Sequence, residues 1–238
     1  MTIVSTWHVA VVVPAHDEAD TLDDCLAAVV RAAVRVRPAV VHIVVVADRC
    51  RDGTEAVAVG ALSGVDGSVL TIDAGNVGVA RGVGVEVALC ALPPAGAQRV
   101  WVAMTDADSR VPEDWLQRQL AAAAEGWRAV VGGIIVDDWA VRDHRLEATL
   151  ARYRDLQEAA GIRPVHGANL GVAAAALQTV GGVPDQALSE DAALVRVLET
   201  ADIPVLWDRH PMVRTSARRS SRAPGGFSTL LDQLEGHS

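Results

Sequence analysis

Arg99-Val100-Trp101-Val102-Ala103-Met104-Thr105 runs directly into Asp106-Ala107-Asp108, and how this stretch is read decides the fold. A short apolar run that stops at two carboxylates reads as a buried strand with an acidic end. Side chains alternate along extended chain, so Asp106 and Asp108 are expected to converge on one spot at the carboxyl end of that strand. Two acids side by side repel unless a cation or a hydrogen-bond network absorbs the charge. A hard divalent ion, Mg2+ or Mn2+, held by one or two carboxylates and by substrate phosphates, meets that need. The plain alternative, which the motif taken alone favours, is an Asp-rich turn with Ser109 and Pro112 opening the next helix.

Upstream of it, His8 to Val13 is another continuous apolar run, closed by Pro14-Ala15-His16-Asp17-Glu18, and Leu22, Leu26, Val29 and Val30 then recur at helical spacing. Val41 to Ala47 repeats the pattern, with the polar turn Asp48 to Thr54 leading into a helix over Glu55 to Ala61. Val69 to Ile72 is a third strand, ending at Asp73-Ala74-Gly75-Asn76-Val77-Gly78 ahead of a helix from Val79 to Leu92. Unbroken apolar strands alternating with helices, without tight hairpin signals, imply βαβ units and a parallel sheet covered on both faces. Right-handed crossovers put all the strand-to-helix turns on one edge, where ligands bind in such sheets. Pro14 to Glu18, Asp48 to Thr54, Asp73 to Gly78 and Asp106 to Ser109 are therefore expected to ring a single crevice.

Downstream the pattern loosens. Trp115 to Glu125 and Val141 to Ala160 read as helices, Ala129 to Val136 as a strand interrupted by Gly132-Gly133. After Val165-His166-Gly167-Ala168-Asn169-Leu170-Gly171 comes a helix from Ala173, then Gly181-Gly182-Val183-Pro184. Ser189 is placed to cap a helix over Ala192 to Ala201, with Glu190 and Asp191 in its first turn. Ile203 to Trp207 is a strand, and Arg214 to Arg222 a basic, hydroxyl-rich segment. The residues thus predict one α/β domain over 1–238, with a nucleotide-binding half (1–110) and an acceptor half (111–238).

Composition narrows the chemistry. The net charge of −9 disfavours nucleic acid as a partner. All 21 basic residues are Arg, which excludes a lysine-dependent phosphate loop and lysine Schiff-base chemistry. Arg still suits phosphate, because its planar fork binds two oxygens. The 3 cysteines, Cys25, Cys50 and Cys90, are too few and too scattered for a disulfide framework or zinc. No run approaches the roughly 20 apolar residues of a transmembrane segment, and Met1 to His8 has no secretory pattern. The expected location is the cytoplasm.

Several stretches resemble one family in the right order. Val11-Val12-Val13-Pro14-Ala15-His16-Asp17-Glu18, with Leu22 and Cys25-Leu26, resembles the opening of the family 2 inverting glycosyltransferases, which have the GT-A fold. Ala47-Asp48-Arg49-Cys50-Arg51-Asp52-Gly53-Thr54 looks like their second turn, and Asn76-x-Gly78-x-Ala80-Arg81-x-x-Gly84 like their third. Asp106-Ala107-Asp108 with Trp115-Leu116 is similar to their metal-binding segment. Gly167-Ala168-Asn169, Gly181-Gly182 and Glu190-Asp191 with Leu194 are similar to their acceptor half. The ordered set, from about Val9 to the C-terminus, is specific where each motif alone is weak.

The resemblance implies a GT-A, Rossmann-like central sheet, mostly parallel and flanked by helices, and metal-dependent inverting transfer of one sugar. The donor implied is a nucleotide-diphosphate sugar, by analogy a UDP-sugar. The acceptor is a small molecule or carrier-bound, and a homodimer is allowed. Mg2+ or Mn2+ is expected on Asp108 with Asp106, and His210 is a further metal candidate whose alternative is an ordinary surface histidine. Asp191 is the implied general base with Glu190 beside it; the bland alternative for both is a pair of helix N-terminal acids. Donor contacts are expected from Pro14, His16, Glu18, Asp48, Asn76, Arg81, Asp106, Ala107, Asp108, Ser216 and Arg218. Asp106 has the ribose as a second possible target. Arg81 reads equally as a solvated helix residue, and Arg214, Arg218 and Arg222 as a flap over the diphosphate or as a loose tail. His166 reads as packing, and Asp137-Asp138-Trp139 as acceptor-facing or simply a strand end.

One departure stands out. Many family members carry two adjacent acids after the second strand; here Ala47 replaces the first, which leaves base recognition to Asp48 alone. The Gln-x-x-Arg-Trp signature of processive polymer synthases is absent, in keeping with single transfers. A sugar-phosphate nucleotidylyltransferase would want a Gly-rich N-terminal loop and a catalytic Lys, and a dehydrogenase Gly-x-Gly-x-x-Gly after the first strand; none is present. A non-catalytic nucleotide-sugar-binding regulator is opposed by the intact Asp108 and Asp191.

Overall fold

Residues 7–93, 99–137, 146–161, 163–216 and 232 are described by the structure, a computed structural model. Strand β1 (His8–Ala15) lies between β2 (Val40–Asp48) and β4 (Val100–Met104), parallel to both. A strand with neighbours on both sides and helices on both faces has no wet side, which is why Val9 to Val13 are apolar without alternation and fully buried. Strand β3 (Gly67–Ile72) extends the parallel half beyond β2.

Helices α1 (Leu22–Arg35), α2 (Thr54–Ala61) and α3 (Val77–Ala91) make the crossovers. Leu22, Cys25, Leu26 and Val29 bury one stripe of α1. On α3 a Cβ at Gly84 would meet Val12 Cγ1 at 2.5 Å, so the glycine lets the helix sit directly on β1.

The strand β1 extends through Pro14 and Ala15 rather than stopping before them. Val12 accepts from Thr105 N at 3.3 Å, the last β4-side bond. Two residues on, Pro14 faces the same side after that ladder has ended, so its missing N–H costs no pair.

The other half of the sheet is mixed. It comprises β5 (Ser109–Arg110), β6 (Ala129–Asp137), β7 (Leu170–Ala173) and β8 (Val205–Ser216), with α4 (Trp115–Ala124), α5 (Leu146–Ala159), α6 (Ala174–Thr179) and α7 (Glu190–Thr200) around it. The order is β3-β2-β1-β4-β7-β6-β8-β5. Strand β7 runs antiparallel to both β4 and β6, β8 is parallel to β6, and β5 is antiparallel to β8. Two of these strands, β5 and β7, have no counterpart in the sequence reading. Strand β8 also runs past Trp207 to take in Arg214, Thr215 and Ser216.

The topology forces the sheet to curl. Strands β4 and β5 are four places apart in the sheet order, about 19 Å if it were flat. Five Cα steps join Met104 to Ser109, at most about 18 Å fully extended, and Ser109 N donating to Asp106 O at 3.0 Å shows they are not extended. The far edge therefore folds back onto the end of β4, and Asp106-Ala107-Asp108 sits at the joint. No helix among the described residues is long and apolar enough to cross a membrane.

Candidate active site

The first two strand-to-helix turns are stitched to each other. Asp17 and Arg49 both sit at positive φ (52° and 55°), a strained backbone for residues other than glycine. Asp17 Oδ1 accepts from Arg51 N at 2.6 Å, and Asp52 accepts from Ala19 N at 3.1 Å and Thr54 N at 2.9 Å. The buried Thr54 hydroxyl donates to Asp52 and accepts from Glu18 N at 2.8 Å. Glu18 is buried, its Oε2 accepting from Thr21 Oγ1 at 2.8 Å, so it braces the turn. His16 Nδ1 donates to the Asp48 carbonyl at 2.6 Å, which fixes its ring while the side chain stays 40% exposed. Among the described residues, Asp17, Cys50 and Asp52 form the one group of three potential ligand atoms, within 4.8 Å of each other. These side chains are the ones that hold the turns together.

Asp48 does not project into the crevice as a free carboxylate. Its Oδ1 accepts from Ala74 N and Gly75 N and its Oδ2 from Asn76 N, all at 2.8 Å, so it organises the third turn. Asn76 caps α3, accepting from Gly78 N at 2.9 Å and Val79 N at 3.2 Å, while its Nδ2 donates to Asp185 Oδ1 at 2.9 Å. Gly78 N also reaches Gln186 O at 3.2 Å. The α3 N-terminus is thus docked on the 184–186 segment.

The two acids of the Asp-x-Asp segment do not converge by strand alternation, because β4 stops at Met104 and residues 107–108 form a turn. Ala107 is buried inside it, and the buried Cys25 thiol donates to Asp106 O at 3.3 Å. Burial, with Asp108 and Asp106 adding to it, pushes that thiol far above its ordinary range. The Ser109 hydroxyl lies 3.3 Å from Asp108 Oδ1 and 3.1 Å from Thr215 Oγ1.

Arg81, only 2% exposed, joins the two halves of the chain. Its Nη2 pairs with Asp106 Oδ1 and its Nη1 with Glu190 Oε1. Burial alone would lower the Arg81 pKa, but Asp106, Glu190 and Asp191 together hold it above the ordinary value. Burial pushes the Glu190 carboxyl up; Arg81 opposes that shift and Asp191 adds to it. Asp191 Oδ2 accepts from Gly167 N and its Oδ1 from Ala192 N, both at 2.7 Å. A Cβ at Gly167 would overlap the Arg81 guanidinium, so this glycine allows the close approach.

Ser189 is not the capping residue its position suggests. It adopts φ 57° and makes no side-chain cap bond; the strained backbone instead turns the chain into Glu190. His210 is exposed, within an irregular stretch of β8 between Asp208 and Val213, and its N–H donates to Asp208 Oδ1 at 3.0 Å. It belongs to no three-residue ligand group among the described residues. Ser216 ends β8, paired with Asp137 in the β6 ladder. Arg218, Arg222, Asp138 and Trp139 lie outside the described residues.

Two supports escaped the sequence reading. Trp115 Nε1 donates to Asn169 Oδ1 at 2.9 Å while Asn169 Nδ2 donates to Gly133 O at 2.9 Å. Gly132 leaves room for that amide. Trp101 Nε1 donates to Gln119 Oε1 at 2.7 Å across a point where Gly171 leaves no side chain in the way. The glycines were the legible signal; their partners were not.

This architecture has relatives. The structure of residues 1–349 of TarS from S. aureus, in complex with UDP-GlcNAc, superposes with a TM-score of 0.67 at 13% identity, covering 98% of this chain and 66% of that one. The mannosyltransferase PcManGT from Pyrobaculum calidifontis, in complex with GDP-Man and Mn2+, gives 0.66 at 16%, covering 92% and 59%. Glucosyl-3-phosphoglycerate synthase from Mycobacterium tuberculosis, in complex with Mn2+ and UDP-glucose, gives 0.54 at 15%, covering 97% and 76%. This chain therefore spans about two thirds of the first structure's length and less of the second's. At such identities the likeness establishes the GT-A fold. No curated protein matches. The family description "Glycosyl transferase family 2" matches residues 10–162, and "Glycosyl transferase family group 2" matches residues 101–233. With more than half its length matched, the chain belongs to glycosyl transferase family 2.

Proposed function

We propose that this chain transfers a single sugar from a nucleotide-diphosphate sugar, a UDP-sugar in the first instance, to an acceptor hydroxyl or amine with inversion. The carrying observation is the grip of one buried guanidinium on Asp106 and Glu190, with Asp191 next in the chain. It brings the carboxyl end of β4 and the start of α7 to one place, as donor and acceptor chemistry requires.

The donor lies along the first three turns. Pro14 and His16 face the nucleotide, and Glu18, Asp48 and Asn76 hold those turns in shape. Ala107 and Ser216 flank the diphosphate; Arg218, expected from the sequence to join them, lies outside the described residues. The metal donor set fits Mg2+ or Mn2+: Asp108 and Asp106 offer oxygen, and the nearby Cys25 is buried with its thiol donating to the Asp106 carbonyl, so no soft ligand is presented. Asp108, with help from Asp106, would hold the ion; when bound it neutralises charge on the departing diphosphate. TarS has been seen with UDP-GlcNAc, and the mannosyltransferase and the synthase with Mn2+.

Asp191 takes the acceptor's proton as the acceptor heteroatom attacks the anomeric carbon. The bond from that carbon to the diphosphate oxygen breaks as the new one forms, the electron pair leaves with the nucleotide, and the configuration inverts once. The Gly167 and Ala192 N–H groups fix the carboxylate that does this.

Thermal-shift screening of nucleoside diphosphates with Mn2+, followed by mass spectrometry of transfer products, tests the reading. A nucleotide at 100 times its Kd adds about 2.7 kcal/mol, or roughly 5–11 °C in Tm for a chain of this size. If no nucleoside diphosphate raises Tm with Mn2+ at millimolar concentrations, the reading fails.

A further inference from the structure

We propose that Arg81 is a positioning residue: it locks the donor-side acid Asp106 to the acceptor-side acid Glu190, and so sets where Asp191 stands, without itself touching the donor. This rests on the glycosyl-transfer reading above and assigns Arg81 a different task from the donor contact expected of it.

Four observations carry it. Arg81 is 2% exposed, leaving almost no surface for a ligand. Each of its terminal nitrogens is on a carboxylate, and the two carboxylates come from chain segments 25 and 109 residues away. Its Nε is buried and has no hydrogen-bond partner among the described residues. An unpaired buried donor is costly, so this pose does not maximise pairing; it satisfies two particular acids. Finally, Gly167 both seats the guanidinium, since a Cβ there would overlap it, and donates its N–H to Asp191 Oδ2 at 2.7 Å. The residue against which Arg81 rests is the residue that holds the base.

The chemistry suits a strut. Asp106, Glu190 and Asp191 are three acids around one cation, and without the cation they would repel. A planar fork spans two carboxylates at fixed separation, whereas a lysine ammonium is a single point charge on a flexible stem. Helix α3 also fixes where the fork starts, being seated on β1 at Gly84 and docked at Gly78 on the Gln186 carbonyl.

The test compares R81Q, R81K and G167A with the wild type in sugar-transfer kinetics and in UDP binding with Mn2+ by calorimetry. R81Q is expected to lose about 100-fold in kcat, the scale of an ångström-sized misplacement, with the UDP Kd weakened less than tenfold because Asp108 remains to hold the ion. R81K stays at least tenfold down, because one ammonium cannot hold both acids. G167A keeps every charge and shifts the guanidinium, so it lowers kcat at least tenfold with the UDP Kd unchanged; it serves also if R81Q does not fold. A UDP Kd weakened tenfold or more in R81Q, or wild-type kcat in R81K or G167A, overturns the proposal. Should the wild type neither bind UDP nor transfer sugar, the functional reading fails by itself. The strut is then judged on ligand-free protein, from the Tm values of R81Q, E190Q and the double variant. Non-additive shifts support the Arg81–Glu190 link and additive ones overturn it.

Discussion

The same substitution at two glycines of one helix is expected to change stability in opposite directions. A Cβ at Gly78 would lie 2.5 Å from the Gln186 carbonyl oxygen, where ordinary contact begins at 3.4 Å. The 184–186 segment must therefore retreat by about 1 Å, by the difference of those distances. That retreat breaks the bond from Gly78 N to Gln186 O (3.2 Å) and the bond from Asn76 Nδ2 to Asp185 (2.9 Å). Each is worth about 1 kcal/mol, while alanine returns about 0.5–1 kcal/mol of helix propensity. Gly78→Ala is thus net destabilising by about 1–1.5 kcal/mol, or roughly 2–6 °C in Tm. A Cβ at Gly82, one turn along, meets no atom of the described residues within 4 Å. Gly82→Ala should keep the propensity gain and raise Tm by roughly 1–4 °C. Scanning calorimetry of the three proteins reads both signs, and transfer assays should find kcat lowered only in Gly78→Ala. A Gly78→Ala protein as stable as wild type would refute the docking of the acid-bearing loop on α3.

Asp191→Asn should lower kcat by about 10²–10⁴-fold while calorimetry finds donor binding intact; wild-type turnover would remove Asp191 from the base role. Asp108→Ala should abolish the Mn2+-dependent part of the UDP binding heat, and an unchanged difference between titrations with and without Mn2+ would count against its role as ligand. Glu190 gives a pH signature. Burial raises its carboxyl above the ordinary value, against the pull of Arg81 and with the push of Asp191. A raised carboxyl contributes stability that is full below the unfolded-state value and is lost as pH climbs through the folded one. The Tm of wild type minus that of Glu190→Gln should therefore fall as pH rises from below the usual glutamate range to above it; a flat difference would mean the shift is absent.

The parallel half of the fold was legible because its physics is local. Strands buried on both faces must be apolar throughout, and Val9 to Val13, Ile43 to Val46 and Trp101 to Met104 are fully buried. The mixed half hid for the opposite reason. Strand β5 has two residues and β7 four, too short for any period to register; β7 is defined by its pairing with β4 and β6, and β5 by the curl that brings the far edge back to the end of β4. The end of β8 read as part of a basic flap or loose tail because arginines dominate the composition of the segment from Arg214 to Arg222. Yet Val213 and Thr215 are buried on either side of an exposed Arg214, an alternation that marks a half-covered strand. Ser189 misled for a related reason: a serine ahead of two acids is a cap by statistics, but here the backbone turns left-handed.

The site itself was legible as a set of turns and illegible as a set of partnerships. Asp48 reads as a lone acid left to recognise a base, and nothing in its neighbourhood says that Ala74, Gly75 and Asn76 will surround it. Arg81 shows that the signal was not wholly missing. It stands in Val-Gly-Val-Ala-Arg-Gly-Val-Gly-Val, a stretch with no polar face to keep it in water. An arginine forced inside must be paired, since an unpartnered buried charge costs several kcal/mol. The sequence therefore demands two acids from elsewhere, and the turns that carry chemistry are where unmatched acids were waiting, at Asp106 and Glu190. Gly167 completes the inference: a glycine where any side chain would block the guanidinium marks a spot that another group must approach closely.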